Sequence, residues 1–354
     1  MKVRNYLYDI KILPGKSYPI PVICIGNITV GGSGKTPMTE LLIRLLQDKY
    51  RIAVVSRGYG RHTKGMILAE RAHTSAQIGD EPAMYKRKYP HVTVVVDGNR
   101  RRALHYLCSL LPEDARPGVI LMDDGFQHRS VTPYYSILLV PYHTLTKEQR
   151  MLPAGRLREP IWATSRANAI VVSKFPEHIS PIDRRILQMK LDLFPYQLLL
   201  SSAVRYHNPI PVFPEAPPLA FSGAEAAAAS LGGRTILGVA GVAHPQDFFD
   251  HLRFLAGSDQ AVIPLPYPDH HVYRPKEFMR WEKLLQQHAG QGGGSLLCCT
   301  EKDVVKIWDN RASVPPDVRR CLYVIGIETV FKENGLNHLT KELDKVLRTF
   351  SPPS

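Results

Sequence analysis

A glycine-rich stretch at residues 26–40 has the composition of a phosphate-binding loop. Its central residues are, in order, Gly31, Gly32, Ser33, Gly34, Lys35 and Thr36. Glycines let backbone N–H groups approach phosphate oxygens that a Cβ would obstruct, and a helix beginning near Lys35 would point its positive end at the same place. Lys35 is predicted to contact the β and γ phosphates, and the Thr36 hydroxyl to hold Mg²⁺. The stretch therefore predicts binding of a nucleoside triphosphate.

This loop departs from the strict pattern G-x-x-x-x-G-K-[ST] at one position. Thr29 lies five residues before Gly34, where the pattern has its first glycine. The flanking sequence still supports the interpretation, because an apolar run at residues 20–25 precedes the loop and another at 41–46 follows it. The order of strand, glycine-rich loop and amphipathic helix is that of a phosphate-binding loop.

Acidic residues accompany two further predicted elements. Asp123 and Asp124 follow the apolar run 119–122, and a carboxylate at the end of a strand beside a phosphate loop can bind Mg²⁺ directly or through water. Asp80 and Glu81 lie at the head of a predicted helix. Taken from the residues alone, Asp80 is better explained as the N-cap of that helix than as a catalytic carboxylate.

Basic residues follow the strands predicted at residues 52–55 and 92–96. The first strand leads to Arg57 and Arg61, and the second to Asn99 and to three consecutive arginines that begin at Arg100. The carboxyl ends of strands in a parallel α/β sheet face the ligand, so these residues are candidates for binding phosphate or another anion. The alternative is that they form solvated surface turns.

Two other stretches have an ambiguous role on sequence alone. The charged, proline-containing stretch at 152–160 is expected to be either exposed or functional. His270 and His271 follow Asp269, and paired histidines can ligate a metal. Without a third ligand at a recognisable spacing, a catalytic or loop role is favoured for them.

Composition and charge limit the class of protein. With 354 residues, 44% of them hydrophobic, the chain is expected to form two domains. The formal charge of +13, with 11 Lys and Arg against 4 Asp and Glu at residues 51–102, favours an anionic partner. The 5 cysteines show no C-x-x-C spacing and are expected to be buried thiols. Neither a run of 18 apolar residues nor a signal peptide is present, which predicts a cytosolic or peripheral location.

The predicted elements form two α/β domains. Residues 1–200 are expected to form a P-loop NTPase-like domain with a parallel sheet, residues 201–230 a proline-containing linker, and residues 231–354 a smaller α/β domain. The last helix is a candidate to pack back on the first domain. The basic, aromatic segment 1–18 is interpreted as either a short helix or a loose terminus.

In their order along the chain, these motifs closely resemble one family, the tetraacyldisaccharide 4'-kinases, which are the ATP-dependent lipid A kinases of Gram-negative bacteria. The resemblance runs from about Arg4 to the last helix. It rests on residues 26–37, 56–60, 79–82, 123–128, 153–160 and 269–271. Each motif is modest alone, whereas the ordered set is highly specific.

The resemblance implies transfer of the ATP γ-phosphoryl group to the 4'-hydroxyl of tetraacyldisaccharide 1-phosphate, which forms lipid IVA. It further implies action on the inner face of the inner membrane. We expect a monomer that associates peripherally with this anionic surface and has no nucleic-acid partner. The resemblance reverses the preference at Asp80. Paired with His270, Asp80 would receive or orient the acceptor hydroxyl, and the two residues would come from two domains that close on the substrate.

The resemblance also implies roles for the remaining residues. Glu81, Asp123 and Asp124 would organise Mg²⁺ with Thr36, and Lys35 would act in catalysis as well as in nucleotide binding. Nucleotide binding would further involve Arg158 and Glu159. Substrate binding is expected of Arg57, Tyr59, Asn99, Arg100, Gln127 and His128.

Two alternative functions remain open at this level. A membrane-associated P-loop ATPase switch would hydrolyse ATP without a lipid acceptor. A nucleic-acid-dependent ATPase is supported only by charge, because the chain lacks the aromatic and basic interleaving of a single-strand platform. Family members carry a further apolar segment before an element similar to residues 4–8, which lie close to Met1 here, so we expect membrane docking that depends on charge.

Overall fold

A computed structural model describes residues 2–10, 12–146, 150–177, 179–219, 234–257, 261–288 and 294–352. The chain divides into two compact units. The first contains Met1–His73, Tyr85–Arg205 and Glu328–Ser354, and the second contains Thr74–Met84 and Tyr206–Ile327. Each unit is therefore built from separate stretches of the chain, and the last helix belongs to the first unit.

The described part of the chain forms two sheets. Their strands, in chain order, are β1 (Val22–Asn27), β2 (Ile52–Ser56), β3 (Ile67–Leu68), β4 (Thr93–Val96), β5 (Val119–Asp123), β6 (Tyr135–Pro141), β7 (Ala169–Ser173), β8 (Leu198–Tyr206), β9 (Ile210–Pro211), β10 (Thr235–Ala240), β11 (Val262–Pro266), β12 (Ser295–Thr300), β13 (Leu322–Ile325) and β14 (Ile327–Phe331).

The α-helices of the described residues are α1 (Lys2–Asp9), α2 (Lys35–Leu46), α3 (Ser75–Ile78), α4 (Asp80–Lys88), α5 (Arg100–His105), α6 (Tyr142–Thr146), α7 (Pro181–Leu191), α8 (Gln246–Ala256), α9 (Pro275–His288), α10 (Glu301–Asp309), α11 (Pro316–Cys321) and α12 (Gly335–Arg348). A π-helical turn at Tyr106–Leu110 continues α5, and 3₁₀ turns cover Glu113–Ala115, Ile161–Arg166 and Arg311–Ser313.

The first sheet has nine strands in the order β14-β8-β7-β6-β1-β5-β2-β4-β3. The pairs from β8 to β4 are parallel, and β3 is antiparallel to β4 at one edge. Strands β1, β2, β5, β6 and β7 are buried along their whole length, which explains their continuous apolar sequences. Because β1 lies between β5 and β6, the loop after β1 and the residues after β5 meet at one edge of the sheet.

The second sheet has five strands in the order β11-β10-β12-β13-β9, with only β9 antiparallel to its neighbour. Alternate residues of its strands enter two different cores. Leu237, Val239 and Leu297 lie in one core, whereas Ile236 and Leu296 lie in the other. The sheet is therefore covered on both faces, as a parallel sheet with flanking helices requires.

The structure differs from the sequence-based expectations at several places. The predicted linker at 201–230 begins inside β8, and its residues 220–230 lie outside the described residues. The N-terminal segment contains helix α1, so it is not a loose terminus, and Asp9 of this helix lies 2.7 Å from Nη1 of Arg129. Four of the cysteines are buried as expected, but Cys321 is partly exposed. Among the described residues, no helix is both long enough and apolar enough to span a bilayer.

Candidate active site

The phosphate loop in the first unit connects β1 to α2. Gly34 caps the helix with φ of 89°, a left-handed conformation that favours glycine. The loop is anchored to the ends of two strands, β1 and β7. Asn27 Nδ2 donates to Ser33 Oγ at 2.8 Å, and Ser173 Oγ at the end of β7 donates to the Ser33 carbonyl at 2.8 Å. These buried hydrogen bonds fix the backbone at the position where a nucleotide phosphate would bind.

The charged stretch at 152–160 also contacts the phosphate loop. The Val30 N–H donates to the Arg156 carbonyl at 2.9 Å, and the Arg158 N–H donates to the Ile28 carbonyl at 2.7 Å. Between them, Thr29 pairs antiparallel with Leu157 and is 4% exposed. A buried, strand-like position suits a β-branched residue better than glycine. This pairing explains why threonine is accommodated where the strict loop pattern has glycine.

Asp124 lies between two cations of this unit. Lys35 Nζ is 3.4 Å from its Oδ1, and Nη1 of Arg158 is 3.1 Å from Oδ1 and 3.0 Å from Oδ2. Burial opposes ionisation of this carboxyl group, but Lys35 and then Arg158 outweigh burial and lower its pKa. Two predicted nucleotide-binding residues and one predicted metal-binding residue therefore form a single charged cluster beside the phosphate loop.

Asp123 accepts from two hydroxyl groups. Its side chain is held by the Tyr85 hydroxyl, which donates to Oδ2 at 3.1 Å, and by the Thr39 hydroxyl, at 3.5 Å from Oδ1. Thr39 lies on α2, three residues after the half-buried Thr36. In the described part of the chain, no group of three or more His, Cys, Asp and Glu residues has the arrangement of a metal site. A cation here would need hydroxyl, phosphate or water oxygens in addition to carboxylates, which is typical of Mg²⁺.

Glu159 packs against the protein interior. It is 1% exposed and ion-paired with Arg166, whose guanidinium lies 4.4 Å from the Phe126 ring centroid. Burial raises the pKa of Glu159 despite this arginine. Glu159 Oε1 has no hydrogen-bond partner among the described residues. A nucleotide role for Glu159 stays a prediction, whereas its contact with Arg166 is part of the structure.

Three of the predicted substrate-binding residues interact electrostatically and form a basic cluster: Arg57, Arg100 and His128. Arg100 is 3% exposed, and its Nη1 donates to the Asp97 and Gly98 carbonyls, each at 3.3 Å. Burial, and next the charge of Arg57, lower the pKa of Arg100. Burial together with Arg100 and further arginines lowers the pKa of His128 to about 4, so this imidazole is neutral at physiological pH. A buried arginine beside a neutral histidine offers N–H donors that can bind an anion.

The remaining predicted substrate residues have other environments. Gln127 Nε2 donates to the Asn27 carbonyl at 2.7 Å, which connects it to the end of β1. Asn99 is the N-cap of α5, where its side chain accepts from the Arg102 N–H at 3.4 Å. Tyr59 is 63% exposed. Substrate roles for Asn99 and Tyr59 stay predictions.

The second unit brings together Asp80 and His270. His270 Nδ1 lies 2.8 Å from Asp80 Oδ2, and a carboxylate can only accept, so Nδ1 is the donor. The backbone of His270 has φ of 61°, and the hydrogen bond to Asp80 raises the pKa of the imidazole. Asp80 begins α4, but its carboxylate accepts a hydrogen bond from His270. This contact differs from the N-cap role that the residues alone suggested. Both residues belong to the second unit, which differs from the expectation of a pair joined from two domains.

Glu81 has a lysine partner that the sequence analysis did not identify. Lys302 Nζ lies 2.6 Å from Glu81 Oε1. Burial opposes ionisation of Glu81, but Lys302 outweighs it and lowers the pKa of Glu81 to about 2. Lys302 and Lys306 lie four residues apart on α10, and this helical spacing is the pattern that could have drawn attention to them.

Comparison with known proteins identifies relatives over nearly the whole chain. The sequence profile of the tetraacyldisaccharide-1-P 4'-kinase family matches residues 1–347. A tetraacyldisaccharide 4'-kinase of Porphyromonas gingivalis is 42% identical over 335 residues, covering 93% of this chain and 88% of that protein. A tetraacyldisaccharide 4'-kinase of Parabacteroides distasonis is 40% identical over 333 residues, covering 94% and 86%.

A solved structure supports the same conclusion at the level of the fold. The "apo" form of LpxK from Aquifex aeolicus in complex with ATP matches with a TM-score of 0.68 and 25% sequence identity, covering 98% of this chain and 94% of that one. The expected fold class, a P-loop parallel-sheet domain with a smaller α/β unit, is confirmed.

Proposed function

The chain belongs to the tetraacyldisaccharide-1-P 4'-kinase family, and on that premise we propose how its residues transfer the γ-phosphoryl group of ATP to the 4'-hydroxyl of tetraacyldisaccharide 1-phosphate. The reaction is a step of lipid A biosynthesis. The observation that carries the proposal is the 2.8 Å contact between Asp80 and His270, which are separated by 190 positions in the sequence. Such a long-range pair of a carboxylate and an imidazole is suited to handling the proton of an acceptor hydroxyl.

ATP would bind at the phosphate loop of the first unit. Backbone N–H groups of residues 31–36 would contact its phosphates, and Lys35 would stabilise the charge on the transferring phosphoryl group. Lys35 and Arg158 both contact Asp124 in the structure, which keeps two cations beside the loop. We infer that they are held there for the phosphates of the nucleotide.

Mg²⁺ would be held by oxygen atoms of this unit. Thr36 and Asp123 would supply hard oxygen ligands, and two hydroxyl groups that donate to Asp123 would hold its carboxylate in place. Asp124 is less suited to direct contact because Arg158 and Lys35 face its oxygens. Bound Mg²⁺ would neutralise charge on the phosphates. Glu81 is engaged by Lys302, so we propose no direct contact between Glu81 and the metal.

At the acceptor, the Asp80 carboxylate, oriented by His270, would take up the proton that the 4'-hydroxyl loses. The hydroxyl oxygen forms a bond to the γ phosphorus as the bond between that phosphorus and the leaving oxygen of ADP breaks. The Nδ1–H of His270 donates to the Asp80 carboxylate and orients it, and the carboxylate in turn keeps the proton on Nδ1. The residues contribute orientation and charge, which are the main contributions that phosphoryl transfer requires of a protein.

Anion recognition would fall to the basic cluster. Arg57 and Arg100 carry charge beside the neutral His128, and the Arg100 Nε has no hydrogen-bond partner among the described residues. We propose that this cluster binds an anionic group of the substrate, with Gln127 as a neighbour at the end of β1. Asn99 and Tyr59 are further candidates for binding the substrate.

The acyl chains of the substrate lie in a bilayer, so the enzyme is proposed to associate peripherally with the cytoplasmic face of the inner membrane. The support is charge: the chain carries +13, and α1 is followed by the exposed apolar residues Ile10, Ile12 and Leu13. The rival function, an ATPase switch without a lipid acceptor, is not favoured by the family to which the chain belongs.

The proposal is tested by mass spectrometry of the lipid after incubation with Mg-ATP, with kcat and KM for ATP measured on variants. Asp80→Ala and His270→Ala should each lower kcat strongly and leave KM for ATP unchanged, and the double variant should be scarcely worse than the worse single variant, because paired groups act as a unit. Lys35→Ala should lower turnover by at least about 100-fold, for a loss of about 3 kcal/mol.

The matched control is Asp250→Ala, which removes an aspartate of the second unit whose side chain is 61% exposed. It should leave both constants unchanged. Additive losses in the Asp80 and His270 variants would show that the two residues are not catalytic partners. ATP hydrolysis at the full rate without lipid would instead support the switch.

A further inference from the structure

Helix α10 presents two lysines to two consecutive carboxylates. Lys302 and Lys306 lie one turn apart and so share a face of the helix. Lys302 Nζ is 2.6 Å from Glu81 Oε1, and Lys306 Nζ is 3.7 Å from Asp80 Oδ2. The helix start is fixed by Thr300, whose side chain accepts from the Asp303 N–H at 3.3 Å. All of these residues belong to the second unit.

Lys306 is deeply buried and lies between two carboxylates. Its side chain is 3% exposed, and its Nζ is 3.2 Å from Asp303 Oδ1 as well as 3.7 Å from Asp80 Oδ2. The ammonium group also donates to the Gly241 carbonyl at 3.5 Å. A buried ammonium carries a desolvation cost of several kcal/mol unless its partners are fixed in good geometry. The position of Lys306 therefore depends on how firmly its partners are held.

Asp303 is held by three neutral donors. The Tyr273 hydroxyl donates to Oδ1 at 2.9 Å, while the Gly241 N–H and the Thr300 hydroxyl donate to Oδ2 at 3.0 Å and 2.7 Å. The approach to Gly241 leaves no room for a side chain there, because a Cβ would lie 2.9 Å from Asp303 Oδ1. Asp303 is fully buried, so this network makes it a rigid anchor for Lys306.

We propose that Lys306 is a positioning residue for phosphoryl transfer. Anchored by Asp303, its ammonium group holds Oδ2 of Asp80 in the orientation in which the same oxygen accepts from Nδ1 of His270. Lys306 acts through Asp80 and does not touch the substrate. The inference rests on the proposed function, since it requires that Asp80 and His270 act on the acceptor hydroxyl.

The competing explanation is that Lys306 only neutralises Asp303 for folding. The two explanations differ in what happens when both charges are removed. Lys306→Met leaves Asp303 buried without its cation, which destabilises the fold. In the double variant Lys306→Met with Asp303→Asn, the asparagine oxygen can accept from Gly241 and Thr300 and its amide can donate to the Tyr273 hydroxyl oxygen. Removing both charges together should therefore restore much of the thermal stability that Lys306→Met loses.

The experiment measures kcat, KM for ATP and the thermal unfolding midpoint of the full chain. We expect Lys306→Met, at temperatures where it is folded, to lower kcat by about 10-fold to 100-fold, the range expected for a misplaced reacting group, with KM for ATP unchanged. In the double variant the unfolding midpoint should recover while kcat stays low. Lys49→Met is the matched control, because it removes a lysine that lies 2.9 Å from Asp344 in the first unit, and it should leave kcat unchanged.

Asp80→Asn separates failure of this inference from failure of the proposed function. Wild-type turnover in Asp80→Asn would refute the catalytic pair and the role of Lys306 with it. If Asp80→Asn is impaired but the double variant of Lys306 and Asp303 has kcat within about threefold of wild type, only the positioning role is overturned. If the role is correct, adding Lys306→Met to Asp80→Asn should cause little further loss, since both changes disable the same group.

Discussion

The ion pair of Glu81 and Lys302 predicts that the free energy of unfolding depends on pH. This dependence tests whether Glu81 stabilises the fold through Lys302 or is available to bind the metal. The two side chains are 17% and 28% exposed, with 2.6 Å between Lys302 Nζ and Glu81 Oε1. Lys302 lowers the pKa of Glu81 from 4.5 to about 2 against the effect of burial. Because the folded state favours the ionised carboxylate, the contribution to stability is present above the unfolded pKa and is lost as pH falls from 4.5 towards about 2.

The size of the effect follows from the pKa difference. A pKa difference of about 2.5 corresponds to about 3 kcal/mol at neutral pH, at about 1.36 kcal/mol per pKa unit. Between pH 7 and pH 3.5, the folded carboxylate stays ionised while the unfolded one becomes protonated, so about 1 kcal/mol of this stabilisation should disappear. In Glu81→Gln, this part of the pH dependence should be absent.

The assay is urea unfolding of the full chain without Mg²⁺, with and without Glu81→Gln, at pH 7 and at pH 3.5. Trp281 is fully buried in the second unit, and the 62% exposed Trp162 of the first unit can be replaced by phenylalanine, so that tryptophan fluorescence reports mainly on the second unit. A stability difference between wild type and Glu81→Gln that is equal at both pH values would refute the reasoning. It would mean that Lys302 does not stabilise the ionised carboxylate, which would reopen a role of Glu81 in binding the metal.

Two further predictions concern other parts of the molecule. Burial lowers the pKa of His251 to about 4, so as pH falls below 6.5 the unfolded chain binds a proton that the folded chain does not, and stability falls. His251→Phe should reduce the loss of stability between pH 7 and pH 5, measured by urea unfolding. An unchanged loss would show that the pKa of His251 is not lowered by burial. Co-sedimentation with anionic vesicles should weaken as salt rises, because charge interactions are screened beyond a Debye length of about 8 Å at physiological ionic strength, and this length shortens with added salt. Equal retention at low salt and at about 1 M salt would indicate apolar insertion.

Much of the first unit could be predicted from the sequence, because the determinants are local. Continuous apolar runs predicted the buried strands, and the order of strand, glycines and helix placed the phosphate loop correctly between β1 and α2. The strand that ends at Asp123 pairs directly with β1, as a parallel sheet with a phosphate loop suggests. The role of Thr29 could not be predicted, because its strand-like pairing depends on Leu157, far along the chain.

The network around Asp80 could not be predicted from local pattern. An aspartate before Glu81 and Pro82 at a helix start satisfies every local criterion for a cap, since the first turn of a helix favours negative charge and a side-chain acceptor. Which group the carboxylate contacts is decided by residues 190 and 226 positions later, His270 and Lys306. No helical or strand period connects these positions, so periodicity gives the face of each element but not its partner.

A more informative pattern is the combination of the two local motifs. Asp80 and Glu81 are adjacent acids at the first turn of α4, and Lys302 and Lys306 are bases one turn apart on α10. Lys302 contacts Glu81 and Lys306 contacts Asp80, so two adjacent acidic residues pair with two lysines in i, i+4 spacing. This pairing also requires a third residue, because the buried Lys306 needs a carboxylate partner in a fixed position, and Asp303 supplies it. An acidic pair at a helix start and a spaced lysine pair after a strand are therefore better treated as one motif than as a cap and a solvated helix face.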